Sequence, residues 1–178
     1  MKLLLRKLAL GCILLMHLST LHAGQLAPGN GSPRVTGEVA YDAQNPFARI
    51  IRGELPAYKV YEDDHVLAFL SKDQSVPGHV LVISRTSTAQ NIMEMSPKEL
   101  TRVMLVAQRV ARAELKSLHA DGVVIRQNNG AAAGQTVFHL HVHVVPHWVN
   151  APPAFARNAN GQMNLPAMAA RIAASMTD

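Results

Sequence analysis

The chain is almost without cysteine: Cys12 is the single one in 178 residues. It falls in an N-terminal stretch with the features of a removable export signal, so a mature chain has no thiol for a disulfide or a thiolate metal site. Clustered cations are also missing. The formal charge is +5, but Lys2, Arg6 and Lys7 belong to that same stretch; removing those three from 17 basic residues leaves 14 against 12 acidic ones. No Lys/Arg block survives, so the basic pI carries no sign of nucleic-acid binding. The clearest apolar run, residues 8–16, is well short of the ~20 residues that a helical bilayer crossing needs. Aromatics make up only 4%, yet 48% of the chain is apolar, which fits a globular protein and not a disordered or fibrous one.

What is present begins with that leader. Lys2, Arg6 and Lys7 form a charged start, the apolar run follows, and Ala23 is a small residue suited to precede cleavage. Residues 1–23 are expected to be a signal peptide, which implies a periplasmic or secreted protein with no stable membrane anchor after cleavage. An uncleaved amphipathic helix is the alternative. Residues 24–44 are rich in Gly, Pro, Ser and Asn (Pro28-Gly29-Asn30-Gly31-Ser32-Pro33) and read as a flexible linker. The remaining length suits one domain with a proper core.

From Asn45 the pattern is structured. Asn45-Pro46 is a helix start, and Phe47, Ile50 and Ile51 share a helical face until Gly53 stops it. Residues 58–62 and 65–70 read as two strands joined at Asp63-Asp64, and residues 78–84 as a buried third. Ser96-Pro97-Lys98-Glu99 is a strong helix start, and Leu100, Val103, Met104, Ala107, Val110, Ala111 and Leu115 follow at helical spacing. Residues 122–127 and 137–145 read as the fourth and fifth strands, with Pro146 ending the last. A helix is expected over 165–176. Hairpin-like links between strands imply an α+β fold: a largely antiparallel five-stranded sheet with the long helix packed on one face.

The fifth strand carries the chemistry. Strand side chains alternate faces, so His139, His141 and His143 project from one side while Leu140, Val142 and Val144 project from the other. Three imidazoles in a row have no obvious packing use. The spacing alone admits zinc binding, histidine catalysis or a polar strand face of satisfied histidines. The flanks shift the balance. No carboxylate lies between Gly122 and Asn150 to serve a zinc site, whereas Gln135 and Thr136 put neutral donors beside the imidazoles, which suit a phosphate.

At this point the chain resembles the histidine triad (HIT) family. Gly134-Gln135-Thr136-Val137-Phe138-His139-Leu140-His141-Val142-His143-Val144-Val145 matches the family's alternation of histidines and apolar residues. The resemblance covers about residues 45–147 and extends to Asn45-Pro46-Phe47-Ala48-Arg49-Ile50-Ile51-Arg52-Gly53-Glu54-Leu55-Pro56-Ala57, Pro77-Gly78-His79-Val80-Leu81-Val82 and Asn128. It divides the chain into a HIT domain over 45–147 and an extension over 148–178 with a helix. The Hint-like branch, of nucleoside phosphoramidate hydrolases, looks nearest.

The resemblance implies a nucleotide hydrolase or transferase needing no cofactor and no metal. His141 matches the nucleophile that forms a nucleotidyl-histidine. His139 matches the residue that orients it, partly through its backbone carbonyl. His143 matches a phosphoryl contact, and His79 an upstream histidine that supports the triad. Asn128, Gln135 and Thr136 match the phosphate and leaving-group side, and Phe47 and Ile50 the walls around the base. Ser71 stands where the Hint group usually has a ribose-holding Asp, with Asp73 nearby but out of register, and His147 stands where an Arg often follows the proline. Family members are typically homodimers, so the same is expected here, with a nucleotide as the small-molecule partner. The alternative is a non-catalytic periplasmic module that binds nucleotide or zinc.

Overall fold

The computed structural model describes residues 40–157 and 160–176. The leader and nearly all of the linker read from the sequence therefore lie outside the described residues. Among them the elements run α1 (Pro46–Ile51), β1 (Lys59–Glu62), β2 (Val66–Leu70), β3 (Val80–Ser84), α2 (Pro97–Ser117), β4 (Gly122–Arg126), β5 (His141–His147) and α3 (Leu165–Ala174), with short 3-10 turns at Ala131–Ala133 and Ala154–Ala156. The caps are those the sequence spells out. Asn45 accepts hydrogen bonds from the Phe47 and Ala48 amides at the start of α1, and Ser96 accepts from the Glu99 amide at the start of α2.

The five strands form one antiparallel sheet in the order β1-β2-β3-β5-β4. This is the α+β architecture expected from the pattern. Alternation gives the sheet two different faces. Val80, Val82, Leu140, Val142 and Val144 pack with Val103, Ala107 and Val110 of α2 and Met168 and Ile172 of α3. Leu67, Phe69, Leu81 and Ile83 project the other way, under Phe47, Ile50 and Ile51 of α1. Both faces of β2 and β3 are covered, which is why their sequences, VLAFL and VLVIS, are continuously apolar. The C-terminal helix α3 lies in the same core as α2, with Ile172 fully buried.

Two expectations are corrected. β5 begins at His141, not at residue 137, because the Leu140 amide is drawn to the Ala89 carbonyl and Gln135 Nε2 holds the Val137 carbonyl. The strand also continues through Pro146 to His147. Its ladder with β3 ends at the Val80–Val144 pair, so beyond that point the missing N–H of Pro146 leaves no β3 acceptor waiting, while the His147 carbonyl still accepts from Asp121. In addition, residues 41–45, within and next to the stretch read as linker, form a hydrogen-bonded turn: the Asn45 amide donates to the Asp42 carbonyl and the Gln44 amide to the Asp42 carboxylate.

One core residue is out of character. Glu114 of α2 is fully buried, and neither carboxylate oxygen has a hydrogen-bond partner among the described residues. Burial pushes its pKa up from 4.5 to about 9, so the side chain is held as a neutral acid. Between those two values the unfolded chain has shed the proton that the folded chain keeps. Stability therefore falls as pH rises across that window, by up to about 1.4 kcal/mol per pH unit. Glu114→Gln, which cannot ionise, is expected to raise the melting temperature at pH 8 while leaving it nearly unchanged at pH 5. Equal shifts at both pH values would show that Glu114 does not titrate as described.

Candidate active site

The register of β5 against β3 builds the site. His141 stands opposite Ile83 and His143 opposite Leu81. The histidines therefore share the α1 face, at the edge of the apolar cluster of Phe47, Leu67, Phe69, Leu81 and Ile83. His139 precedes the strand but joins the same group, and its ring is 6.2 Å from that of Phe47. The edge of Phe47 meets the His141 ring at 5.0 Å, and the His141 and His143 rings lie 4.9 Å apart. His79, reached from β3, stacks on His143 at 5.1 Å.

Hydrogen bonds fix the state of every ring. A carbonyl only accepts, so any imidazole nitrogen bonded to one must carry the proton. His141 Nδ1–H donates to the His139 carbonyl at 2.8 Å, which leaves Nε2 with a free lone pair. His139 Nε2–H donates to the Ser84 carbonyl at 3.1 Å, and its Nδ1 accepts from the Tyr41 hydroxyl at 2.7 Å. His79 Nδ1–H donates to the Asp73 carbonyl at 3.1 Å, so its Nε2 accepts from His143 Nδ1–H at 2.9 Å. His143 is thereby left with a free Nε2 as well.

Burial keeps all four rings neutral. It lowers the pKa of His141 and of His79 below the usual 6.5, and drives those of His139 and His143 down to about 4. His141, His79 and the Arg126 guanidinium add to the effect at His143. Neutral imidazoles with set tautomers can act as nucleophiles or as proton acceptors; imidazolium ions could not.

The other residues singled out in the sequence fall into three places. Phe47 and Ile50 wall the apolar side. Ser71 is buried across from His79, donating its amide to the His79 carbonyl and accepting at Oγ from the Asp73 amide. It helps set the turn whose carbonyl holds His79. Asn128, Gln135 and Thr136 belong to the loop between β4 and β5. Asn128 Nδ2 donates to the Ala133 carbonyl. Gln135 is buried with its amide engaged on backbone groups: it accepts from the Gly130 amide at 2.8 Å and donates to the Gln90 and Val137 carbonyls. These two side chains brace the loop. Thr136 is exposed beside the triad, and His147 is exposed at the end of β5.

Sequence reasoning missed two residues. Tyr41 stands in a stretch without periodicity, and only the fold brings it to His139. Arg126 stands opposite His143 across the β4–β5 ladder, a placement that needs the strand pairing to be known. Among the described residues, no three His, Cys, Asp or Glu side chains converge in a way that could hold a metal ion.

Residues 52–148 match the family model described as HIT domain. The protein Hit of Bacillus subtilis is 40% identical over 102 residues, covering 57% of this chain and 70% of that one. Among solved structures, a hypothetical histidine triad nucleotide-binding protein from Sulfolobus tokodaii is 31% identical with a TM-score of 0.67, over 73% of this chain and 90% of that one. A zinc-bound histidine triad family protein from Mycobacterium smegmatis is 36% identical with a TM-score of 0.65, over 75% and 93%. With a row of tautomer-fixed histidines leading into and along the fifth strand, a fold similar to these structures and a matching domain model over more than half its length, the chain belongs to the histidine triad family.

Proposed function

We propose that this protein is a nucleotide hydrolase or transferase in which His141 Nε2 attacks an α-phosphate. The observation that carries the reading is the hydrogen bond from His141 Nδ1–H to the His139 carbonyl, which presents Nε2 as a bare lone pair. The similarity to the Sulfolobus tokodaii structure, described as a hypothetical histidine triad nucleotide-binding protein, supports the substrate class. The N–P bond forms as the bond from phosphorus to the leaving group breaks, and that electron pair departs with the leaving group. Water then attacks phosphorus and the N–P pair returns to His141, so one pocket serves both displacements. The positive charge that His141 gains in the intermediate is stabilised by the carbonyl already bonded to Nδ1. His143 Nε2, the second free nitrogen, is placed to take a proton from that water or, once an anion has drawn a proton onto it, to donate to a phosphoryl oxygen. Phe47 and Ile50 offer an apolar surface to a base. Phosphoramidates, mixed anhydrides and dinucleoside polyphosphates all contain the required α-phosphate.

The second reading, a zinc-binding module, has in its favour the zinc-bound relative from Mycobacterium smegmatis. Against it stands the donor set: His79 Nε2 and His143 Nδ1 are bonded to each other and both ring nitrogens of His139 are occupied, so only His141 Nε2 and His143 Nε2 are free, fewer than the three or four protein ligands of a zinc site.

As part of the same proposal, two copies pair along β4. That strand is a sheet edge on which Val124 and Ile125 are exposed, and the neighbouring α2 exposes Met104 and Leu115. An apolar edge strand of this kind invites a second chain. Sedimentation of the mature protein is expected to give a dimer, and Ile125→Asp a monomer; a wild-type monomer at micromolar concentration would end this part of the proposal.

His141→Ala is expected to lower turnover by about 10⁴-fold or more, as loss of a covalent nucleophile does, with the far-ultraviolet circular dichroism unchanged. Rapid acid-free quenching of the wild-type reaction with radiolabelled nucleotide is expected to trap label on the protein, and none on the variant. Undiminished hydrolysis by the folded variant would overturn the reading.

The pH profile gives an independent check. Attack needs neutral His141, and burial lowers its pKa below 6.5. The acid limb of kcat/KM is therefore expected below pH 6.5, with activity lost as pH falls through the lowered value. A limb at pH 7 or above would be incompatible with a buried neutral nucleophile.

A further inference from the structure

Arg126, the last residue of β4, stands directly opposite His143 of β5. Residues directly opposed across an antiparallel ladder share a face, with Cβ atoms ~5 Å apart. Arg126 therefore projects from the same side of the sheet as His141 and His143, on the flank where the loop carrying Asn128 and Thr136 begins. Its side chain is exposed and makes no hydrogen bond or salt bridge among the described residues. Its charge is felt by His79 and His143, whose protonated forms it disfavours, and by Asp73. A guanidinium facing imidazoles that must gain positive charge during a reaction is unfavourable unless an anion sits between them.

We propose that Arg126 holds the phosphate chain of the leaving group, so that the preferred substrates carry at least one further phosphate beyond the α-phosphate. The proposal rests on the reading of His141 as nucleophile and narrows its substrate range toward the nucleoside polyphosphate class, away from phosphoramidates with an uncharged leaving amine. A second phosphate, one bridging oxygen from a phosphate over His141, can turn toward the flank where Arg126 stands, and the planar fork of an arginine suits two phosphate oxygens at once. In the first displacement the bridging oxygen keeps the electron pair of the broken P–O bond and becomes a terminal oxygen of the departing chain. The negative charge that builds on that chain is what Arg126 stabilises. Water then cleaves the N–P bond, and its two protons pass to solvent as the two new phosphate termini ionise. Nothing beyond water is consumed.

The test uses the full mature protein with diadenosine tetraphosphate and adenosine phosphoramidate, comparing wild type, Arg126→Lys and Arg126→Gln. The ratio of kcat/KM for the tetraphosphate to that for the phosphoramidate is expected to fall about 10- to 100-fold in Arg126→Gln, the range of a charge-assisted hydrogen-bond pair, and to recover in part in Arg126→Lys. An unchanged ratio overturns the proposal. A parallel calorimetric titration with inorganic tripolyphosphate separates this inference from the catalytic reading. Wild type is expected to bind it at least ~10-fold more tightly than Arg126→Gln, and equal binding counts against Arg126 whatever the kinetics. If wild type binds tripolyphosphate through Arg126 but hydrolyses neither nucleotide, the catalytic reading fails and the anion subsite stands.

Discussion

The hydrogen bond between the Nδ1–H of His141 and the carbonyl of His139 joins a side chain to the backbone two residues earlier. It can form only because the chain between them is held in place: Leu140 is driven into the core on the α2 side, and its amide is fixed on the Ala89 carbonyl. Core packing on one face of the sheet thus sets the protonation state of a nitrogen on the other. The same logic extends outward. His139 is itself anchored at both ring nitrogens, by Ser84 from β3 and by Tyr41 from the segment before α1. The carbonyl that orients His141 therefore belongs to a residue with little freedom to move, as the positioning of a reactive group requires.

A second constraint is that burial and neutrality come together. A buried neutral imidazole needs an acceptor for its one N–H, and here carbonyls at Ser84, Asp73 and His139 supply the acceptors for His139, His79 and His141. The result is a relay from the Asp73 carbonyl through His79 to His143 and a separate tie from His139 to His141. Two nitrogens are left over, Nε2 of His141 and Nε2 of His143, on rings 4.9 Å apart. The asymmetry of the site comes from which nitrogens the backbone occupies, since the rings themselves are chemically identical.

The main elements were legible in the sequence because they are governed by local rules. Asn45-Pro46 and Ser96-Pro97 announce helix starts through capping chemistry, and the period-two pattern of β5 assigns its two faces. His79, His139, His141 and His143 were also readable, three from alternation and the fourth through the family likeness. What was not legible depends on contacts far apart in the chain. The start of β5 is set by Ala89 and Gln135, neither of which changes the hydrophobic pattern. Tyr41 lies 98 positions from the ring it bonds, in a stretch whose Gly and Pro content reads as linker. Gln135 looks in the sequence like a polar group free for ligand, yet three backbone partners take up its amide. Arg126 is ordinary until the β4–β5 register puts it across from His143.

The histidines and Glu114 place opposite demands on the protein. Each of the four histidines has its pKa lowered on folding, so below about 6.5 the unfolded chain binds more protons than the folded one. Stability rises with pH through that range and then levels off. Glu114 acts in the other direction from 4.5 up to about 9. Between 4.5 and 6.5 His139 and His143, both held near 4, already outweigh the one carboxyl; above 6.5 the histidines no longer contribute while Glu114 still does, and stability declines. Carboxylates held low by hydrogen bonds, such as Glu99 with Thr86, Ser84 and Arg102, matter only below their ordinary range. The fold is therefore most stable close to the pH at which its buried imidazoles have just become neutral in the unfolded chain too. Just above that pH the lowered pKa of His141 leaves its neutral form predominant, so the conditions that favour the fold also favour a nucleophilic lone pair, and Glu114 governs the first loss of stability on the alkaline side.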